Sequence, residues 1–246
     1  MGAELLLRRL QRAGFASFKQ NAHHDGLGLT LGYGEVSLLE LTRGYLALAN
    51  GGRVKNLRLF ADDNFPPLAP VAEEEVFSNE ISFILGDILR DEVARAPAFG
   101  EGNVLDLPFA CAVKTGTTKD FRDNWCVGFT SDYTVGVWIG NFDGAAMKKI
   151  SGVAGAGPII REAMLLLHRD FAPLPQTRPR GLVKAAICTA SGARPNPFCP
   201  NLMQEIFLPQ NAPEAICDWH RVTAVANESN GRFAHASAQN FKPRVA

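Results

Sequence analysis

The stretch from residue 107 to 141 constrains the fold more than any other part of the chain. An apolar run over 107–113 leads into Lys114-Thr115-Gly116-Thr117. Further on, Trp125, Val127 and Phe129 alternate with Cys126, Gly128 and Thr130. After a turn at Ser131-Asp132, Val135, Val137 and Ile139 alternate with Gly136 and Trp138. A period of two marks strands whose successive side chains face opposite sides of a sheet. Three antiparallel strands are therefore expected, joined by short turns. Gly128 and Gly136 weaken a strand entropically, so their presence is read as room for a closely packed helix.

Helix signals surround this block. Leucines recur at helical spacing over 4–13 and stop at Gly14, a glycine cap. Ser37 and Glu40 have the spacing of a capping box, followed by an apolar stripe of Leu38, Leu39, Leu41, Tyr45 and Leu46 and a stop at Asn50-Gly51-Gly52. Ser78 is placed to cap a helix running through Leu89, and Gly157-Pro158 to open one that ends near His168. A short strand is expected over 54–60, then a proline-rich acidic loop. The glycines of Gly26-Leu27-Gly28 through Gly34 miss the dinucleotide fingerprint and read as a tight loop. The prolines of 171–180 mark a boundary, giving a domain over 1–170, a linker over 171–181 and a small β-rich domain over 182–246. Asn230-Gly231 in that last part signals a hairpin. The fold class is α/β (α+β): an antiparallel sheet covered by helices, then a small β-rich domain.

Charge argues against whole classes of partner. Lys+Arg and Asp+Glu are equal at 25 each, so no global field invites nucleic acid. No run reaches the ~18 apolar residues of a membrane span. Charges at Glu4, Arg8 and Arg9 fall where a signal peptide needs an apolar core, so no signal peptide or anchor is expected in this chain.

The chemistry is concentrated in Lys114, Thr115, Gly116 and Thr117. A lysine on an edge strand sets a fixed positive charge at the mouth of a cleft. The two threonine hydroxyls can donate to a carboxylate, and Gly116 keeps the edge uncrowded so that a peptide can pair with it. The Thr117 N–H can serve a developing oxyanion. These groups position and polarise an acyl group but supply neither nucleophile nor base. No serine stands three residues before a lysine or two before an asparagine. Cys111-Ala112-Val113-Lys114 imitates such a nucleophile motif, yet residues three apart on a strand face opposite sides, so it is rejected.

The region 38–141 resembles the transpeptidase domain of bifunctional (class A) penicillin-binding proteins, and is most similar to the penicillin-binding protein 1C type. The resemblance rests on Gly34-Glu35-Val36-Ser37-Leu38-Leu39-Glu40-Leu41-Thr42-Arg43-Gly44-Tyr45, Asn50-Gly51-Gly52, Lys114-Thr115-Gly116-Thr117, Phe121-Arg122-Asp123-Asn124-Trp125 and Val137-Trp138-Ile139-Gly140-Asn141, in that order. It implies peptidoglycan D,D-transpeptidation at the periplasmic face of the inner membrane, with stem peptides and β-lactams as ligands. Lys114 would join the charge network, Thr115 and Thr117 would hold the substrate carboxylate, and the Thr117 N–H would form half of an oxyanion hole. The Ser-x-x-Lys and Ser-x-Asn motifs and the glycosyltransferase domain of that family are not found. The expectation is a fragment that docks substrate without a nucleophile, with sheet surface left uncovered. The alternatives are a non-catalytic module binding peptidoglycan or a cell-wall assembly partner, and one half of a split enzyme completed by an N-terminal half.

The C-terminal part, from Ile187-Cys188 to Cys217-Asp218-Trp219-His220, resembles the small domain that ends the 1C type. Cys111 and Cys126 read as buried thiols. Cys188, Cys199 and Cys217 cluster in one short stretch. With His220 they could make a zinc set, since Cys217-x-x-His220 lets both side chains reach one ion. The preferred reading is a disulfide between two of the three, or plain buried thiols, in keeping with the oxidising compartment the resemblance implies. No cofactor is expected otherwise. His23-His24-Asp25 reads as a solvated loop rather than a metal site.

Overall fold

A computed structural model describes residues 2–18, 26–32, 34–60, 66–68, 70–147, 151–222, 225–226 and 233–234. The chain divides into two compact units, Met1–Pro179 and Arg180–Ala246.

The first unit is built on a three-stranded antiparallel sheet, β1 (Ala112–Thr117), β2 (Asp123–Phe129) and β3 (Thr134–Gly140), in the order β1-β2-β3. The register places Lys114 opposite Val127 and Gly116 opposite Trp125, and Val127 in turn opposite Gly136. One face carries Val113, Cys126 and Val137, which bury against helix α5 (Ala156–Leu167) through Ile160 and Met164. Gly128 is the approach point: a Cβ there would stand 3.2 Å from Ile160 and 3.4 Å from Met164. On the other face, a Cβ at Gly136 would collide with Thr42 of helix α2 (Leu38–Ala49). Both glycines thus admit a helix, one on each side, as their positions suggest.

Helices α1 (Ala3–Arg12), α3 (Asn79–Arg90) and α4 (Glu92–Phe99) complete the unit. The capping box of α2 is present: the Glu40 N–H donates to Ser37 Oγ at 3.2 Å, and the Ser37 N–H donates back to the Glu40 carboxylate at 3.0 Å. That carboxylate also accepts from the Ser17 N–H at 2.8 Å, tying the segment after α1 to α2. Burial pushes the Glu40 carboxyl up, but hydrogen bonds from Ser17 and Ser37 outweigh it and hold it at about 2. A second apolar cluster, with Ala13, Phe15, Ala47, Val54 and Val76, lies under α1 and α2. Ser78 caps α3 by accepting from the Ile81 N–H.

The strand expected over 54–60 does not form. The described residues there make only isolated bridges, Arg53 to Glu75 and Leu57 to Leu68. Leu68 follows Pro66 and Pro67 and precedes Pro70 closely, and prolines lack the N–H a ladder needs. The glycine-rich loop contains a 3₁₀ turn, Gly26–Leu31, with Leu29 buried against Leu7.

The second unit pairs β4 (Val183–Cys188) with β5 (Leu202–Phe207), and β6 (Val225–Ala226) with β7 (Phe233–Ala234), both antiparallel. Asn230-Gly231 and His23-His24-Asp25 lie outside the described residues. No helix among those described is long and apolar enough to cross a membrane.

Candidate functional site

β1 ends the sheet: among the described residues no strand pairs with its outer edge. The Thr118 N–H donates to the Asp123 carbonyl at 3.1 Å, and this bond sets the phase of the ladder. Antiparallel bonding alternates, so the backbone groups of Lys114 and Gly116 turn toward β2 while those of Thr115 and Thr117 face the open edge. Lys114 is exposed, and its ammonium donates to the Thr115 carbonyl on that edge. The Thr117 N–H is aimed the same way.

Alternation separates the side chains. Lys114 and Gly116 project from one face; Thr115 and Thr117 project from the other. What Lys114, Thr115 and Thr117 share is the strand edge: the ammonium rests on the Thr115 carbonyl there, beside the outward-facing backbone of Thr117. Gly116 lies beside Trp125, whose Cβ stands 3.5 Å from where a Gly116 Cβ would be.

Two supports at this end escape a reading of the tetrapeptide. The Gly152 N–H donates to Thr117 Oγ1 at 2.9 Å, fixing the hydroxyl's lone pair and leaving its proton for a further acceptor. Gly152 is tolerated because it passes directly over the strands: a Cβ there would lie 2.8 Å from the Gly116 carbonyl oxygen and 3.0 Å from that of Trp125. The second support is the β1–β2 turn. Asp120 and Phe121 both hold positive φ, at 61° and 56°, an arrangement that costs non-glycine residues about 1–2 kcal/mol each. Asp123 braces it, one oxygen taking the Thr118 hydroxyl at 3.0 Å and the other the Trp138 indole N–H at 2.8 Å. Trp138 continues a run of rings, 6.3 Å from Trp125 and 5.4 Å from Phe142, which is fully exposed. The register could have shown the Trp125–Gly116 neighbourhood; the Gly152 contact carries no sequence signal.

A cleft of about 190 Å³, lined by Arg90, Phe109, Ala112, Phe129 and Pro173, lies at the opposite end of β1. Ala112 and Thr117 are separated by roughly 17 Å of extended strand, so this cleft is not part of the edge site. Cys111 and Cys126 are buried, and burial pushes both thiols up to about 12. A thiol that resists ionisation is a poor nucleophile, which agrees with rejecting Cys111 for that role.

In the second unit Cys188, Cys199, Cys217 and His220 come together, their donor atoms all within 4.8 Å of one another. No disulfide joins any of the five cysteines. His220 Nδ1 lies 3.5 Å from Cys188 Sγ and 3.4 Å from Cys217 Sγ.

Several known proteins are similar to this chain. The C-terminal domain of penicillin-binding protein 1A matches residues 178–222. Penicillin-binding protein 1C of Escherichia coli is 29% identical over 192 residues, covering 78% of this chain and 24% of that protein. Penicillin-binding protein 1A of Aquifex aeolicus is 33% identical over 177 residues, covering 70% of this chain and 23% of that one. The chain thus spans about a quarter of the length of these relatives. The crystal structure of penicillin-binding protein 1A from Haemophilus influenzae superposes with a TM-score of 0.66 over 87% of this chain and 38% of that chain, at 19% identity, a likeness of fold. The three strands, helix α2, most of helix α5 and the edge tetrapeptide fall within residues 11–165, where the penicillin-binding protein transpeptidase domain matches, and with more than half of its 246 residues so matched the chain belongs to that family.

Proposed function

We propose that β1 is the docking strand of a peptidoglycan D,D-transpeptidase and that this chain by itself binds the acyl-donor peptide without being acylated. The observation that carries the reading is the open edge of β1, where the Thr115 carbonyl, the Thr117 N–H and the Lys114 ammonium stand together. A stem peptide laid along that edge gains main-chain hydrogen bonds. Its terminal carboxylate takes the ammonium and the hydroxyls of Thr115 and Thr117. The Thr117 N–H donates to the carbonyl oxygen where negative charge would develop under attack. No serine in the 246 residues precedes a lysine by three, so the attacking hydroxyl is not supplied here in that motif. Kinship with the 1A and 1C proteins supports a place at the periplasmic face of the inner membrane.

Incubation with a fluorescent penicillin followed by denaturing electrophoresis should give no covalent band. Equilibrium binding of a peptide ending in D-alanyl-D-alanine should be measurable and fall about tenfold in Lys114→Ala, the scale of one charge-assisted hydrogen bond. A band that survives boiling would overturn the non-acylating reading. A folded chain that does not bind the peptide would overturn the docking role of β1.

A further inference from the structure

We propose that Cys188, Cys199, Cys217 and His220 form a closed structural zinc site that holds the second unit together. The inference is independent of the reading of β1.

The geometry suits a tetrahedral ion. Zinc–sulfur bonds of about 2.3 Å and zinc–nitrogen bonds of about 2.0–2.1 Å, at the tetrahedral angle, put sulfur and nitrogen about 3.5 Å apart. The two sulfur distances from His220 Nδ1 are 3.5 and 3.4 Å. A disulfide would bring two of the sulfurs to ~2.05 Å, and all three remain unlinked. Three thiolates and an imidazole are soft donors that select zinc over calcium or magnesium. Four protein ligands leave no open position for substrate, which assigns the ion to structure rather than chemistry.

Three separate segments are shaped to deliver these donors. Cys188 closes β4, and its carbonyl accepts from the Gly192 N–H at 2.8 Å in a turn that needs the positive φ of Gly192, 70°. Cys199 sits in a loop where its sulfur accepts the Asn196 N–H at 3.3 Å. The Cys217–His220 turn is gripped from outside: Asn196 Nδ2 donates to the Cys217 carbonyl at 2.6 Å and to the His220 carbonyl at 2.7 Å. Arg194 adds backbone bonds, accepting from Cys217 at 2.7 Å. Asn196 thus positions two ligand segments without touching the ion, the part an outer-shell residue plays in metal sites.

An independent observation points the same way. Among the described residues of this unit the buried apolar side chains are Leu182, Cys188 and Cys217, while Phe198, Leu202, Ile216 and Trp219 are exposed. The described residues of a unit of this size bury so little apolar surface that a staple is called for, and Cys188 and Cys217 are two of its three buried apolar side chains.

The test uses the full chain, purified without chelator, with zinc measured by mass spectrometry and cobalt(II) as the optical probe. We expect a single zinc per chain. Cobalt should give intense tetrahedral d–d bands and a thiolate-to-cobalt charge-transfer band of three-sulfur strength, which reports the ligand set with no substitution at all. The double variant Cys188→Ser/Cys217→Ser should lose the metal, whereas Cys111→Ala should keep it. Asn196→Ala should retain the tetrahedral spectrum but weaken zinc affinity roughly 10–100-fold. The proposal fails if the wild-type chain takes up no zinc, if its cobalt spectrum is octahedral or lacks the thiolate band, or if peptide mapping finds Cys188, Cys199 or Cys217 in a disulfide. Metal retained at full affinity by the double variant would overturn it equally.

Discussion

In Met1–Pro179 the buried side chains are mainly aliphatic and aromatic and gather into three clusters, whereas in the described part of Arg180–Ala246 two of the three buried apolar residues are cysteines. The larger unit has area enough for a conventional core. Ile160 and Met164 alone, both fully buried, contribute about 1.5–3 kcal/mol each by removal from water. The described residues of the smaller unit, two short antiparallel strand pairs with three buried apolar side chains, do not raise that sum. Stability by area is spread over many residues and degrades gradually, while stability by a few soft donors is concentrated and fails at once.

Experiments can separate the two modes of stability. A strong zinc chelator should unfold the second unit, since structural zinc contributes on the order of 10 kcal/mol to small domains. Hydrogen exchange should then rise over 183–207 and stay unchanged over β1–β3; uniform exchange in both would erase the distinction. Met164→Ala should do the reverse, costing the first unit about 2–5 kcal/mol in denaturant unfolding and leaving the cobalt spectrum intact. Acid should also act on the first unit selectively. Glu40 is held at about 2, below its ordinary 4.5, so its contribution is complete above pH 4.5 and disappears as the pH falls toward 2. About 3 kcal/mol should go with it, and Glu40→Gln should flatten that part of the stability–pH curve. The smallest effect is expected from Gly152→Ala, about 1–3 kcal/mol, because a methyl would press on the Gly116 and Trp125 carbonyls. It should lower peptide binding at β1 together with stability, since it displaces the N–H that holds Thr117.

The sheet was legible in the sequence because its logic is local. A period of two names the strands, and Gly128 and Gly136 mark where α5 and α2 come close. The Ser37–Glu40 capping box is likewise written within four residues. Contacts between distant segments were not legible. The Ser17 bonds that depress Glu40 span the loop after α1, and no pattern announces them. Helix α4 went unread because Pro97 lies within it, where a missing N–H ordinarily argues for a break. The edge tetrapeptide stands out by composition, but the bond from Gly152 to Thr117 depends on a chain crossing 35 residues away. The cysteine cluster was legible as a set of residues and not as a geometry. Its convergence depends on the β4–β5 register and on Asn196, neither of which spacing reveals.

An unpaired strand edge invites any passing strand to add to it, a copy of the same protein included. Here the Lys114 ammonium already occupies the Thr115 carbonyl that such a strand would need. A newcomer must displace that ammonium, which, being exposed, passes to water, so the edge is screened by an exchange of partners. A peptide that ends in a carboxylate gives the ammonium somewhere to go. On the docking role proposed for β1, the lysine would favour a visitor that brings the opposite charge.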